Sequence, residues 1–203
     1  MTKGVWVVLG LTLLVVAGNV AMLWSVLDSG FSAKEQPAEL EVVVARQLRH
    51  LAMPKAQKLM ENPVPVSDEV LAEARVHFAD HCAYCHGNDG KGETAVGQNF
   101  FPRTPDLTEA ATQSFSDGEL YYIIRHGVRF TGMPAWGKDN PEPDFESWNL
   151  VHLIRHLSDI TPEELKEMEK YNPVSQADRE EEDEIDRFLQ GEEIEPGSHG
   201  HHH

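Results

Sequence analysis

Cysteine is nearly absent, with two residues in 203 at positions 82 and 85. That is too few for a disulfide-stapled scaffold or for a four-cysteine zinc site. Basic residues are also scarce: 17 Lys and Arg stand against 34 Asp and Glu, a net charge of −17. As a whole such a chain repels nucleic acid and anionic lipid surfaces, so a nucleic-acid function is excluded at the outset. The sequence shows no internal repeat, no low-complexity tract of collagen type and no alternating apolar pattern of the kind strands need. What remains is an ordinary globular composition, 40% hydrophobic and 25% charged, with twelve prolines and fifteen glycines that indicate an irregular, loop-rich fold. The length allows one or two domains.

One long hydrophobic run is present. From Val5 to Leu27 the chain has 23 residues without a charge, which as a helix span about 30 Å and so the hydrocarbon core of a bilayer. No Ala-x-Ala pattern follows it, so an uncleaved anchor is expected rather than a signal peptide. Lys3 precedes the run, Asp28 follows it, and Trp6 and Trp24 sit near its ends as interfacial rings. This places the N-terminus in the cytoplasm and the rest of the chain outside, on the periplasmic side in a bacterium.

Charge divides the remainder. Residues 1–66 carry a net +1, residues 67–160 a net −8 and residues 161–197 a net −10. Leu40, Val44, Leu48 and Leu51 share one face at helical spacing between Ala38 and Ala52, and Pro54 and the stretch Asn62 to Val66 then force an extended path. The expected layout is an anchor over 1–28, a juxtamembrane helix and linker over 29–66, a domain over 67–160 and an acidic extension over 161–203. Within the domain, Ser67 caps a helix running to His81 with acids in its first turn. Ser116 and Glu119 form a capping box for a second helix, which Gly127 ends. A third helix covers Phe145 to Leu157, and Thr161-Pro162 opens a short fourth. Gly87 to Gly92 and Phe100 to Leu107 are loops.

The chemistry lies in Cys82-Ala83-Tyr84-Cys85-His86, directly after the first of these helices. Two thiols at this spacing can form thioethers to the two vinyl groups of one haem, and the adjacent His86 is then held under the iron as an axial ligand. A redox disulfide gives the histidine no role, and a zinc half-site lacks a second cysteine pair. On the other side of the iron the best candidate is Met133, in Phe130 to Gly137, where Gly and Pro hold an extended loop. Its alternative is a core-filling methionine. Met53, Met60, Met168 and His126 are further candidates for the sixth position. Arg103 is placed to pair with a haem propionate or to be a solvated loop residue. Tyr121, Tyr122, Phe130 and Trp136 either line the ring or fill the core.

Over about Ser67 to Leu157 the sequence resembles the class I monohaem c-type cytochromes, in particular membrane-anchored bacterial ones. The family's small residue, aromatic and first cysteine, spaced by four, correspond to Ala74, Phe78 and Cys82, with Ala in place of the usual Gly. Its Pro-x-Leu corresponds to Pro105-Asp106-Leu107, where the proline carbonyl would accept a hydrogen bond from the proximal imidazole. Its methionine loop corresponds to Thr131 to Pro134 and its C-terminal helix to Trp148 to Arg155, with Leu153 where an aromatic is common. The resemblance implies an all-α cytochrome c fold, three main helices and loops around one covalent haem c, behind a single transmembrane helix.

The expected function is single-electron transfer between protein partners through a haem with His86 and Met133 as iron ligands, with no catalytic residue and no small-molecule substrate. The first alternative is a haem-bearing subunit of a respiratory oxidoreductase complex. The second, from a different class, is a haem enzyme or gas sensor with an open sixth site. The acidic run Asp178 to Asp186 is either a solvated tail, with Ile185, Phe188 and Leu189 packing locally, or a docking surface for a basic partner. The His-rich end, His199 to His203, is either a metal-binding tail or a disordered or appended one.

Overall fold

Four helices, α4, α7, α8 and α9, begin where a side chain satisfies one of the first unpaired backbone N–H groups. The computed structural model describes residues 3–28, 32, 36–137 and 144–173. The acidic run and the His-rich end lie outside these residues. Helix α1, Lys3–Asp28, is long and apolar enough to cross a bilayer. Helix α2, Glu39–Ala52, follows, then a single turn α3, Lys55–Lys58.

Helix α4, Asp68–His81, starts where the Ser67 hydroxyl accepts from the Val70 N–H at 3.2 Å. It ends at Cys82, and α5, Ala83–His86, is one more turn that carries the second cysteine and the histidine. A short turn α6 covers Ala110–Gln113. Helix α7, Asp117–His126, carries the full Ser116/Glu119 capping box and stops at Gly127. Helix α8, Phe145–His156, is capped by Asp144, and α9, Pro162–Met168, by a second box of Thr161 and Glu164. Each cap contributes about 1 kcal/mol. Among the described residues there is no strand.

The core forms where α4 and α8 cross, with α7 beside α8. Ala74, Phe78 and Ala79 from α4 bury against a cluster that includes Trp148, Val151 and Leu153 from α8. Trp148 stacks face to face on Tyr121 of α7 at 4.0 Å, so Tyr121 belongs to the core. Ala74 is itself buried, so the extra methyl that replaces a glycine is accommodated. Arg155 ties α8 to the start of α7, donating to Asp117 at 2.8 Å and to the Gln113 carbonyl at 2.8 Å. The linker wraps as its prolines require. Asn62 donates to the Trp148 carbonyl at 2.9 Å, and the Val64 carbonyl meets His152 Nε2 at 2.7 Å.

Two expectations change in detail. The third helix is α-helical only to His156, and Leu157–Asp159 tightens into a 3-10 turn. Phe130 neither fills the core nor packs against other protein groups, because it is 92% exposed at a loop tip and has a positive φ of 63°.

Candidate functional site

Helix α4 delivers the site. Its buried face carries Phe78 into the core, and one turn later the chain places Cys82 at the helix end, with Cys85 and His86 on α5. The His86 ring lies 6.3 Å from the Phe78 ring, tilted by 46°. Both cysteines are free. Burial, reinforced by the neighbouring Cys85, pushes the Cys82 thiol up to about 12, and burial also raises Cys85. Both are therefore thiols in the free protein at neutral pH.

His86 is placed as a ligand would be. Burial pushes its imidazole down to about 4, opposed by a weaker pull from the Pro105 carbonyl. The ring is neutral at pH 7 and has a lone pair to give a metal. Its Nδ1 is buried and makes no full hydrogen bond, although the Pro105 carbonyl is the backbone group acting on it. A buried polar atom in this state calls for an explanation, and a proximal ligand whose second nitrogen is steered by a backbone carbonyl supplies one.

Two glycines bring the surrounding loops in close. Gly92 has φ +71° and donates to the His86 carbonyl at 2.7 Å, and a Cβ there would sit 2.6 Å from the Thr104 carbonyl. Only glycine accepts both conditions. Gly97 lies against the Cys85 carbonyl, which also accepts from Thr94 Oγ at 3.1 Å. Gly87 to Gly92 and Phe100 to Leu107 read as loops from sequence, but their mutual contact did not, because no local pattern records which two loops meet. Leu107 is buried, Pro105 is exposed, and Arg103 is exposed on the same loop.

Met133 sits half-buried in a loop fixed to the end of α7. The Val128 N–H donates to the Met133 carbonyl at 3.1 Å, and the Met133 N–H donates to Thr131 Oγ at 3.2 Å. Gly127, φ +64°, lets Pro134 approach to within 2.6 Å of where a Cβ would stand. Trp136 N–H donates to the Ile124 carbonyl at 3.2 Å, and its ring meets His81 edge-on at 5.5 Å. Of the other candidates for the sixth position, Met60 is exposed just after α3. Met168 is fully buried in the main core, Met53 is buried at the end of α2, and His126 stacks on Tyr122 at 4.1 Å.

A paired-cysteine turn with a neutral, half-buried histidine, closed by glycine loops, fits a covalent haem. A family described as cytochrome C oxidase, cbb3-type, subunit III matches residues 69–154. Residues 69–154 are a c-type cytochrome domain. The chain is similar to the cbb3-type cytochrome c oxidase subunit FixPc of Rhizobium leguminosarum bv. viciae, 36% identical over 116 residues, 54% of this chain. It is also similar to subunit CcoP of Cereibacter sphaeroides, 37% identical over 76 residues, and to subunit FixP of Sinorhizobium medicae, 28% identical over 114 residues. These matches cover 35%, 24% and 35% of the relatives, so the chain spans about a third or less of their length.

Proposed function

We propose that this cytochrome domain holds one haem c through thioethers to Cys82 and Cys85, with His86 and Met133 on the iron. It works as the electron-transfer subunit of a respiratory oxidoreductase complex of cbb3 oxidase type. The observation that carries the reading is the half-buried, neutral His86, its Nδ1 buried, next to two half-buried free thiols at the end of α4. The haem supplies one-electron chemistry, and the chain supplies attachment, orientation and electrostatics. Pro105 positions the His86 ring, Phe78 and Leu107 support the site from the core, and Arg103 is available to a propionate. The domain needs no catalytic acid, base or nucleophile of its own.

The relatives are named as oxidase subunits, which favours the subunit role over the independent shuttle that the sequence alone puts first. Residues 1–28 form the anchor, 29–66 the juxtamembrane helix and linker, and 67–160 the haem domain on the outer face, with the N-terminus inside. The acidic extension, 161–203, follows. Two measurements test this. The visible spectrum of the reduced protein is expected to be unchanged by carbon monoxide, whereas Met133→Ala becomes sensitive to it. A shift in the unaltered protein would favour an open-site sensor or enzyme. In mild detergent the chain is expected to co-purify with oxygen-reducing activity, and elution as an isolated cytochrome would return the independent shuttle to the front.

A further inference from the structure

Helix α2 has two faces with opposite business. At 100° per residue, Leu40, Val44, Leu48 and Leu51 fall within an arc of about 80°. Val42 and Arg49 lie on the opposite side. That opposite side is tied to the cytochrome domain. The Arg49 guanidinium lies 5.2 Å over the Phe115 ring, and His50 Nδ1 is 3.2 Å from Glu119. The next turn continues the attachment, since Lys58 donates to the His50 carbonyl and the Lys58 carbonyl accepts from Ser116 Oγ at 2.7 Å. The apolar stripe is left facing outward, with Leu40 74%, Val44 47%, Leu48 61% and Leu51 75% exposed. Four large aliphatic side chains in a row at this exposure mark an interaction surface rather than scattered surface residues.

We infer that α2 lies along the phospholipid surface, with Leu40, Val44, Leu48 and Leu51 in the acyl boundary and the cytochrome domain held on its upper side. Two features identify the occupant. First, only ten residues separate the end of α1 at Asp28 from the start of α2 at Glu39, a tether of at most about 36 Å. The stripe therefore cannot leave the neighbourhood of the bilayer that α1 crosses. Second, although the chain as a whole is acidic, residues 39–58 carry Arg46, Arg49, Lys55 and Lys58 against Glu39 and Glu41. Arg49 and Lys58 are engaged on the side of the cytochrome domain, so Arg46 and Lys55 are the cations of this segment left to anionic headgroups, in contrast to the −8 of residues 67–160. An exposed apolar face backed by a charged one, on a short tether from α1, is the arrangement of a helix that lies in the interface plane. In this arrangement α2 fixes the orientation of the cytochrome domain to the membrane, which a flexible tether would not do.

The full-length holoprotein, reconstituted in vesicles of phosphatidylcholine and phosphatidylglycerol containing a diazirine phospholipid, is irradiated, and the lipid adducts are mapped by mass spectrometry. Adducts are expected on residues 40–51 as well as on α1. The variant Leu48→Glu, with its haem spectrum unchanged, is expected to lose most adducts on 40–51 and to keep those on α1. Adducts confined to α1 in the unaltered protein would overturn the inference, as would protein cross-links joining α2 to a second copy in their place. An adduct pattern on 40–51 unchanged in both Leu48→Glu and Leu51→Glu would overturn it as well. Neither result bears on the haem ligands, so failure here is separate from failure of the electron-transfer reading.

Discussion

The His81 imidazole meets the Trp136 indole edge-on, with ring centroids 5.5 Å apart and planes at 90°. His81 directly precedes Cys82 and Trp136 follows Met133 by three positions, so this contact joins the attachment helix to the methionine loop. An edge-to-face aromatic pair contributes about 0.5–1.5 kcal/mol.

A double-mutant cycle with His81→Ala and Trp136→Ala is expected to show a coupling of about 1 kcal/mol in denaturant unfolding of the holoprotein. Trp136→Ala is also expected to make the reduced protein partly reactive to carbon monoxide, with its covalent haem content unchanged. Additive single effects and an unresponsive spectrum would show that the pair does not steady the loop.

Gly92→Ala tests the closure of the loops around His86. A Cβ there meets the Thr104 carbonyl at 2.6 Å while φ stays at +71°. The backbone alone costs about 1–2 kcal/mol, and the displaced 104–105 carbonyls lose their position against His86. The expected result is a lower yield of haem-loaded protein and a lower midpoint of thermal unfolding. Parent-like values for both would remove Gly92 from the site.

Glu164 predicts an acid-sensitive docking of α9. Burial pushes its carboxyl up, but the Thr161 N–H, His156 and the Thr161 hydroxyl outweigh this and hold it below its ordinary value. It also receives Arg75 at 2.8 Å, with its side chain one-fifth exposed. A carboxylate depressed in the folded state contributes stability above its unfolded pKa and loses it as pH falls through the folded value. Stability should therefore decline from about pH 5 downward, and Glu164→Gln should flatten that slope while costing about 1–2 kcal/mol at neutral pH. Urea midpoints measured across this range decide the point, and equal slopes in both proteins would count against it.

Trp148→Ala removes the largest fully buried side chain and its stack on Tyr121. The expected loss is about 3–5 kcal/mol, with Trp148→Phe costing less because a ring remains over Tyr121. Equal losses in the two variants, by denaturant unfolding, would mean that the stack contributes nothing beyond volume.

Local signals were legible in the sequence wherever the physics is local. Ser67, Ser116 and Thr161 cap helices with side chains three residues from their partners, and the apolar run of α1 needs nothing but its own composition. The turns α3, α5 and α6 were not legible, since four residues carry too little periodicity to stand out against a loop. Of the two roles open to Phe130 in the sequence, the core role falls away, because the loop turns the ring outward with φ of 63°.

The sequence by itself determined the apolar span of α1, the motif Cys82 to His86, and the helices that present it, because each depends on neighbours within a few residues. Only the tertiary structure decided that the His86 Nδ1 is buried, that Gly92 brings the Thr104 and Pro105 carbonyls in beside it, that Trp136 reaches His81, and that the apolar face of α2 is left open. These are relations between segments tens of residues apart. Burial, desolvation and contact belong to the folded arrangement, and no spacing along the chain encodes which surfaces meet.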